Sequence, residues 1–268
     1  MLTVHYARTI SEIDQRYQYH NELVKTALEK TEDEYGAADL VPSKRFYPQS
    51  RLFKMLIQGT DKVDYMVRPT SIDLEEELTP IRIPLDKGIL GYRVFIIRKE
   101  DAPKFAAVKK RQDLNRYIFG LEHSWKDVPI YTHNGFHVET SGSYESLFDM
   151  LHLKRFDIFS RAINEAPVEV AMRSNKYPEL QVEETLCLRY PFVRYLWFSN
   201  SIKGQMLKAR VTQGLNLMVE DGTFDKIFMK HKTDDLAKIQ LDKRLIIDIE
   251  NPFLPQSARD TESLWFRP

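Results

Sequence analysis

Leu52-Phe53-Lys54-Met55-Leu56, followed by Val63-Asp64-Tyr65-Met66-Val67-Arg68, is nearly repeated as Leu147-Phe148-Asp149-Met150-Leu151, followed by Phe156-Asp157-Ile158-Phe159-Ser160-Arg161. In each copy an apolar helix face leads into a short apolar strand. An Asp opens each strand and an Arg stands four residues later, where the strand should end in a loop. The alternative is a chance recurrence of an amphipathic helix, but order, spacing and the terminal Arg agree together. A repeat of this kind implies two similar lobes, each ending a strand in a cation, and so a place that holds an anion.

The chain has 268 residues, which suits two lobes at roughly 150 residues per domain. Its 39 basic and 39 acidic side chains cancel, so no long-range field draws nucleic acid or an anionic membrane, and any anion preference must be local. No apolar run approaches the roughly twenty residues of a membrane helix. The single cysteine, Cys187, excludes an internal disulfide and a thiolate metal cluster, and between Leu186 and Leu188 it reads as a buried spectator. Met1-Leu2-Thr3 runs straight into Val4-His5-Tyr6 without a charged n-region or apolar h-region, as in a cytoplasmic protein or a chain whose leader has been removed.

Leu2 to Tyr6 alternates as a first strand, and after Ser11 and Asp14 a helix is expected over Tyr19 to Lys30. Lys44 to Tyr47 reads as a second strand, Ser50 to Ile57 as the first repeat helix closing at Gly59, and Val63 to Val67 as the strand that ends at Arg68-Pro69. Leu90 to Arg98 is a long strand pattern running into Lys99-Glu100-Asp101, where the chain is expected to cross into a second lobe. There follow a strand at Tyr117 to Leu121, a short helix at Val128 to Asn134 closed by Gly135, a strand at Phe136 to Thr140 and the second repeat unit. Thr185 to Phe198, interrupted by Pro191, is expected to return the chain to the first lobe, making a two-strand hinge. Ile202 to Val219 has helical spacing, Asp221-Gly222 stops it, Phe224 to Met229 starts a short helix, and the tail from Asn251 reads as extended coil. The expected lobes are residues 1–98 with 192–268, and residues 99–191.

The chain resembles the extracytoplasmic solute-binding proteins of type II topology, the family associated with amino-acid transporters. The matching features are Asp64 to Ser71, the crossing strand Leu90 to Lys99, the unit Tyr144 to Asp157, and Leu215-x-x-Met218-x-x-Asp221-Gly222-Thr223-Phe224-Asp225-Lys226-Ile227-Phe228, together spanning about Thr3 to His231. The resemblance implies a two-lobed α/β periplasmic-binding-protein-like fold, each lobe a mixed sheet flanked by helices. It implies closure on a small molecule at the carboxyl ends of the strands, the general site of open α/β sheets, an extracytoplasmic location, and delivery to an ABC-type permease. A sensing module that signals to a membrane protein is the alternative. Neither role involves catalysis or a cofactor, nucleic acid is not an expected partner, and a monomer is expected. The amino-acid binders of this family carry an Arg shortly after the Thr/Ser loop, where this chain has Ser71-Ile72-Asp73-Leu74-Glu75-Glu76-Glu77. They also carry an Asp just after the second-lobe strand, where this chain has Ser160-Arg161-Ala162-Ile163-Asn164-Glu165.

An Arg fork matches carboxylate or phosphate in two hydrogen bonds, so Arg68 and Arg161 lead the candidates, the alternative being internal pairing with Glu75 or Glu165. Thr70 and Ser71 share the first exit, and Asn164 and Glu165 the second. Arg82 alternates with Ile81 and Ile83 and faces either a ligand or a structural carboxylate. His123 and Trp125 follow a second-lobe strand, where His123 can donate a hydrogen bond and Trp125 stack on a ligand or simply pack. Tyr6 and Arg8 end the first strand. The chain lacks Gly-x-Gly-x-x-Gly, a phosphate loop and a Gly-x-Ser-x-Gly elbow, and nothing nominates a nucleophile.

Overall fold

Leu52, Phe53, Met55 and Leu56 form one buried face of the helix Gln49–Ile57, and Leu147, Phe148 and Leu151 do the same in Tyr144–His152. The fold grows from these two faces in a computed structural model that describes residues 2–8 and 18–266; Ser11 and Asp14 lie outside the described residues. In chain order the strands are β1 (Leu2–Tyr6), β2 (Ala38–Pro42), β3 (Tyr65–Pro69), β4 (Tyr92–Arg98), β5 (Ile118–Glu122), β6 (His137–Ser141), β7 (Ile158–Ala162), β8 (Leu180–Val182), β9 (Leu186–Arg189), β10 (Arg194–Phe198) and β11 (Leu245–Asp248). The helices are α1 (Gln18–Glu29), α2 (Glu32–Tyr35), α3 (Gln49–Ile57), α4 (Ile72–Glu77), α5 (Ala102–Ala106), α6 (Asp127–His133), α7 (Tyr144–His152), α8 (Ala166–Arg173), α9 (Ile202–Glu220), α10 (Thr223–Ile239) and α11 (Gln256–Arg259).

The chain divides into two compact units. The first takes residues up to Leu85, Arg194–Lys232 and Asp260–Leu264; the second takes Asp86–Val193, Thr233–Arg259 and the chain from Trp265. The first unit's sheet runs β10-β3-β1-β2, with β1, β2 and β3 parallel and β10 antiparallel to β3. Ile81 bridges Leu196 beyond β10. Helix α1 buries Leu23, Val24, Ala27 and Leu28, while α9 turns in Leu207, Val211, Leu215 and Met218 at helical spacing. Each such aliphatic side chain contributes roughly 1.5–3 kcal/mol of burial. Gly214 lets the two helices approach, since a Cβ there would lie 2.2 Å from the Ala27 carbonyl oxygen.

The second unit's sheet runs β11-β9-β4-β7-β5-β6, with β8 also pairing β4. Phe95, Phe119, Leu121, Ile130, Tyr131, Phe136 and Ile158 form its core. Strand β4 is buried along its whole length and pairs β7, β8 and β9. It therefore sits within the second unit, whereas the sequence reading places residues up to 98 in the first lobe and treats this strand as the crossing.

The repeated Asp makes the same backbone contact in both units. Asp64 donates its amide to the His5 carbonyl (2.8 Å) and accepts the His5 amide on its carboxylate (2.6 Å). Asp157 does the same with Ile118, at 2.9 Å for each bond. Each Asp thus clasps the neighbouring parallel strand one residue before the first registered pair, Tyr6 with Tyr65 and Phe119 with Ile158, and helps fix the register.

Three expectations need correction. Lys44 to Tyr47 is not strand, and β2 is the earlier Ala38–Pro42, registered Leu2 to Ala38 along β1. The helix expected over Phe224 to Met229 continues to Ile239. The tail contains the short helix α11 instead of coil throughout.

Candidate functional site

Because β1, β2 and β3 are parallel, their carboxyl ends share one edge of the first unit's sheet. Arg8 there donates its amide to Ser43 Oγ (3.1 Å) and its Nε to the Ser43 carbonyl (2.8 Å), and the Ser43 amide donates to the Tyr6 carbonyl (2.8 Å). Tyr6 is half-buried and Arg8 exposed. At the β3 exit, Thr70 is buried and donates its hydroxyl to Glu75 Oε1 (2.7 Å), while Ser71 donates to Asp73 Oδ1 (2.6 Å) at the start of α4.

Arg68 is the exception among these polar groups. Its guanidinium lies over the Phe53 ring, 4.7 Å from the centroid, and its Nε is sealed from solvent without a hydrogen-bond partner. Phe53 is in turn held edge-on by Trp197 at 5.4 Å, whose indole N–H donates to the Arg68 carbonyl (3.2 Å). Burial lowers the Arg68 pKa to about 10, with Asp73 offsetting part of the effect. A partly desolvated cation that has no bonded carboxylate among the described residues is costly, and an anion relieves the cost.

Arg82 does not compete for that role. Its Nη2 donates to Glu75 Oε2 (2.6 Å), so Glu75 serves Thr70 with one oxygen and Arg82 with the other. Arg82 lines a groove of about 410 Å³ together with Lys208 of α9.

In the second unit β5, β6 and β7 are parallel and their exits again share an edge. His123 is exposed, with Nδ1 2.8 Å from Glu122 Oε1, and its amide donates to the Ser141 carbonyl (2.9 Å). Trp125 is half-buried and stacks nearly parallel on Phe159 at 6.2 Å. Arg161 is 4% exposed, and its guanidinium carbon lies 4.6 Å from the Trp125 ring centroid. Its fork closes on Glu169, Nε to Oε2 at 2.7 Å and Nη2 to Oε1 at 2.6 Å, with Glu165 Oε2 2.9 Å from Nη2. Burial works to lower the Arg161 pKa, but Glu165 and Glu169 outweigh it and hold the group charged. Arg93 pairs with Asp127 behind this site and donates Nε to the Tyr190 hydroxyl (2.9 Å). Asn164 Oδ1 is sealed without a donor.

The two repeat Args therefore differ. Arg161 takes the internal pairing weighed in the sequence, with Glu165 as expected and with Glu169, which the sequence reading did not single out. Arg68 does not take the internal pairing with Glu75 weighed as its alternative. Phe53, the platform for Arg68, was visible as half of the repeated Leu-Phe pair, and its counterpart Phe148 also carries a guanidinium, that of Arg173 at 4.1 Å.

No family model matches the chain, and no curated protein matches it. Solved structures do. An ancestral arginine-binding protein bound to arginine superposes with a TM-score of 0.58 at 15% identity, covering 86% of this chain and 97% of that one. An arginine-specific periplasmic binding protein of Salmonella typhimurium gives 0.58 at 11% identity, covering 86% and 99%. A histidine kinase sensor domain with similarity to periplasmic binding proteins gives 0.54 at 16% identity, covering 87% and 96%. The fold is that of the two-lobed periplasmic binding proteins. Its two mixed sheets flanked by helices correspond to the two compact units, and the strand exits described above are the carboxyl edges of those sheets. Among the described residues, no helix is long and apolar enough to cross a membrane.

Proposed function

We propose that the chain is an extracytoplasmic solute-binding protein that captures a small anionic or amino-acid-like ligand and delivers it to an ABC-type permease. The observation that carries this reading is Arg68, a half-buried guanidinium on an aromatic platform whose Nε is sealed without a partner. In the proposal a ligand carboxylate completes Arg68, with Tyr6, Arg8, Thr70 and Ser71 around it. At the second unit's own strand exits, His123, Trp125 and Asn164 are the candidate ligand contacts, and Arg161 acts by positioning Glu165. The bound ligands of similar structures, arginine in one and glutamine in another, support an amino-acid-like solute. The likeness to a kinase sensor domain favours a second reading, in which the same capture signals to a membrane partner.

A melting-shift screen of the twenty amino acids, short organic acids and inorganic phosphate tests the first step. A ligand at a hundred times its Kd stabilises the folded state by about 2.7 kcal/mol. The expected result is a shift that Arg68→Met abolishes. A panel that produces no shift, or a shift that survives Arg68→Met, refutes the anion-capture reading.

A further inference from the structure

We propose that Arg161 is the protein's own occupant of a guanidinium-binding cage at the β7 exit, and the specificity-determining residue that makes this exit refuse cationic solutes. The inference deepens the solute-binding reading and rests on it. Three rings lie against the Arg161 guanidinium, with centroids 4.6 Å (Trp125), 5.4 Å (Tyr144) and 5.4 Å (Phe159) from its central carbon. Two carboxylates complete the cage. Glu169 takes the fork with both oxygens, and Glu165 Oε2 stands 2.9 Å from Nη2. Aromatic faces together with a bidentate carboxylate match a planar guanidinium and not a spherical ammonium.

The charge balance shows why the occupant matters. Arg93, 3.9 Å from Glu165, and Arg173 beside Tyr144 each have a carboxylate of their own, Asp127 and Glu145. Glu165 and Glu169 against Arg161 therefore leave the cage one negative charge in excess, an environment for a cation. Burial penalises the charge of Arg161, and these two carboxylates overcome the penalty. While Arg161 is in place, a solute cation finds both Glu169 oxygens committed to Nε and Nη2. Trp125 and Glu165 are half-buried, so two walls of the cage touch solvent. Truncating Arg161 to Ala removes the atoms from Cγ outward, which are those of ethylguanidinium, and leaves a hole of that shape beside the strand exit.

The test is urea denaturation of the full chain carrying Arg161→Ala, followed by circular dichroism at constant chloride, with ethylguanidinium, tetramethylammonium or sodium as the added cation in the millimolar range. Ethylguanidinium should refold the variant saturably, and at a hundred times its Kd should raise the ratio of folded to unfolded chain about a hundredfold. Tetramethylammonium and sodium should not, and the unsubstituted chain should respond to none of the three. Arg161→Met fills the cage with an apolar stem and should lose the response. Adding Trp125→Leu to Arg161→Ala should raise the half-saturating concentration about 2- to 30-fold. The folded fraction decides the matter even where Arg161→Ala does not fold alone, because a chain that stays unfolded at every ethylguanidinium concentration overturns the proposal. So does an equal response to tetramethylammonium, or a response that persists in Arg161→Met or in the unsubstituted chain, which places the binding elsewhere. None of these outcomes involves Arg68, so the anion-capture reading stands or falls on its own test.

Discussion

Replacing Arg68 by Met should make the ligand-free protein more stable, the opposite of what removing a buried polar side chain usually does. The guanidinium is held at a pKa of about 10, well below its ordinary value, because burial penalises its charge and Asp73 offsets only part of the loss. At about 1.4 kcal/mol per pH unit, the charging penalty is on the order of 3 kcal/mol. Stacking on Phe53 returns about 1 kcal/mol of cation–π attraction. Met keeps the apolar contact and loses both terms, so Arg68→Met should gain roughly 2 kcal/mol. The sign with pH follows from linkage. The folded-state pKa is depressed, so the penalty stands in full at neutral pH and is relieved as pH rises through about 10, where the gap between the two proteins should narrow. Urea denaturation at pH 7.5 and at a series of alkaline pH values measures both. A variant less stable than the parent by 1 kcal/mol or more, or a gap that widens above pH 10, shows that Arg68 is already satisfied in the empty protein and removes the argument for an anion there.

The other Arg should behave in the opposite way. Glu169→Ala strips the fork partner from a fully buried guanidinium and should cost roughly 3–5 kcal/mol by urea denaturation, since the remaining Glu165 bonds only one nitrogen. Asp64→Ala leaves the His5 amide and the Lys203 ammonium, each within 2.8 Å of the carboxylate, without their acceptor and should cost about 1–3 kcal/mol. Asp157→Ala should cost less because Asp157 is more exposed, and in each variant hydrogen exchange should accelerate at His5 or Ile118, respectively. Cys187 is buried with its thiol pushed up to about 12 by burial, so a thiol reagent at pH 8 should label it only at the rate of unfolding.

Elements with strong periodicity and local punctuation were legible in the chain, and those defined by distant partners were not. Helices α1, α3, α7 and α9 announce themselves through one apolar face each, and Gly59 and Gly135 end their helices at positive φ, a conformation glycine adopts without strain. Strand β2 was misplaced because Ala38-Asp39-Leu40-Val41-Pro42 has no alternation of its own and is ordered by its pairing to β1. The second half of α10, from Lys230 onward, is largely polar and offers no stripe to read. The site divides in the same way. That Arg68 and Arg161 end strands was legible. Which one is neutralised was not, because α8 folds back over β7 to bring Glu169 to Arg161, and Glu75 turns toward Arg82 and Thr70 instead of Arg68.

The repeat thus separates scaffold from function. In both copies the Asp performs the same backbone clasp on the adjoining strand, the shared requirement of joining two parallel strands. In both copies the helix Phe supports a guanidinium, but from different places in the chain, Arg68 on Phe53 and Arg173 on Phe148. The strand-ending Args, which occupy equivalent positions, have opposite charge balances. Arg161 faces two carboxylates and carries no surplus to offer a ligand, whereas Arg68 has a sealed Nε without a partner. An anion entering the second exit would meet Glu165 and Glu169 as well as Arg161, so its gain is largely cancelled; at the first exit the cation is already partly desolvated and the anion recovers that part of the penalty. Anion recognition should therefore be concentrated at the β3 exit of the first unit.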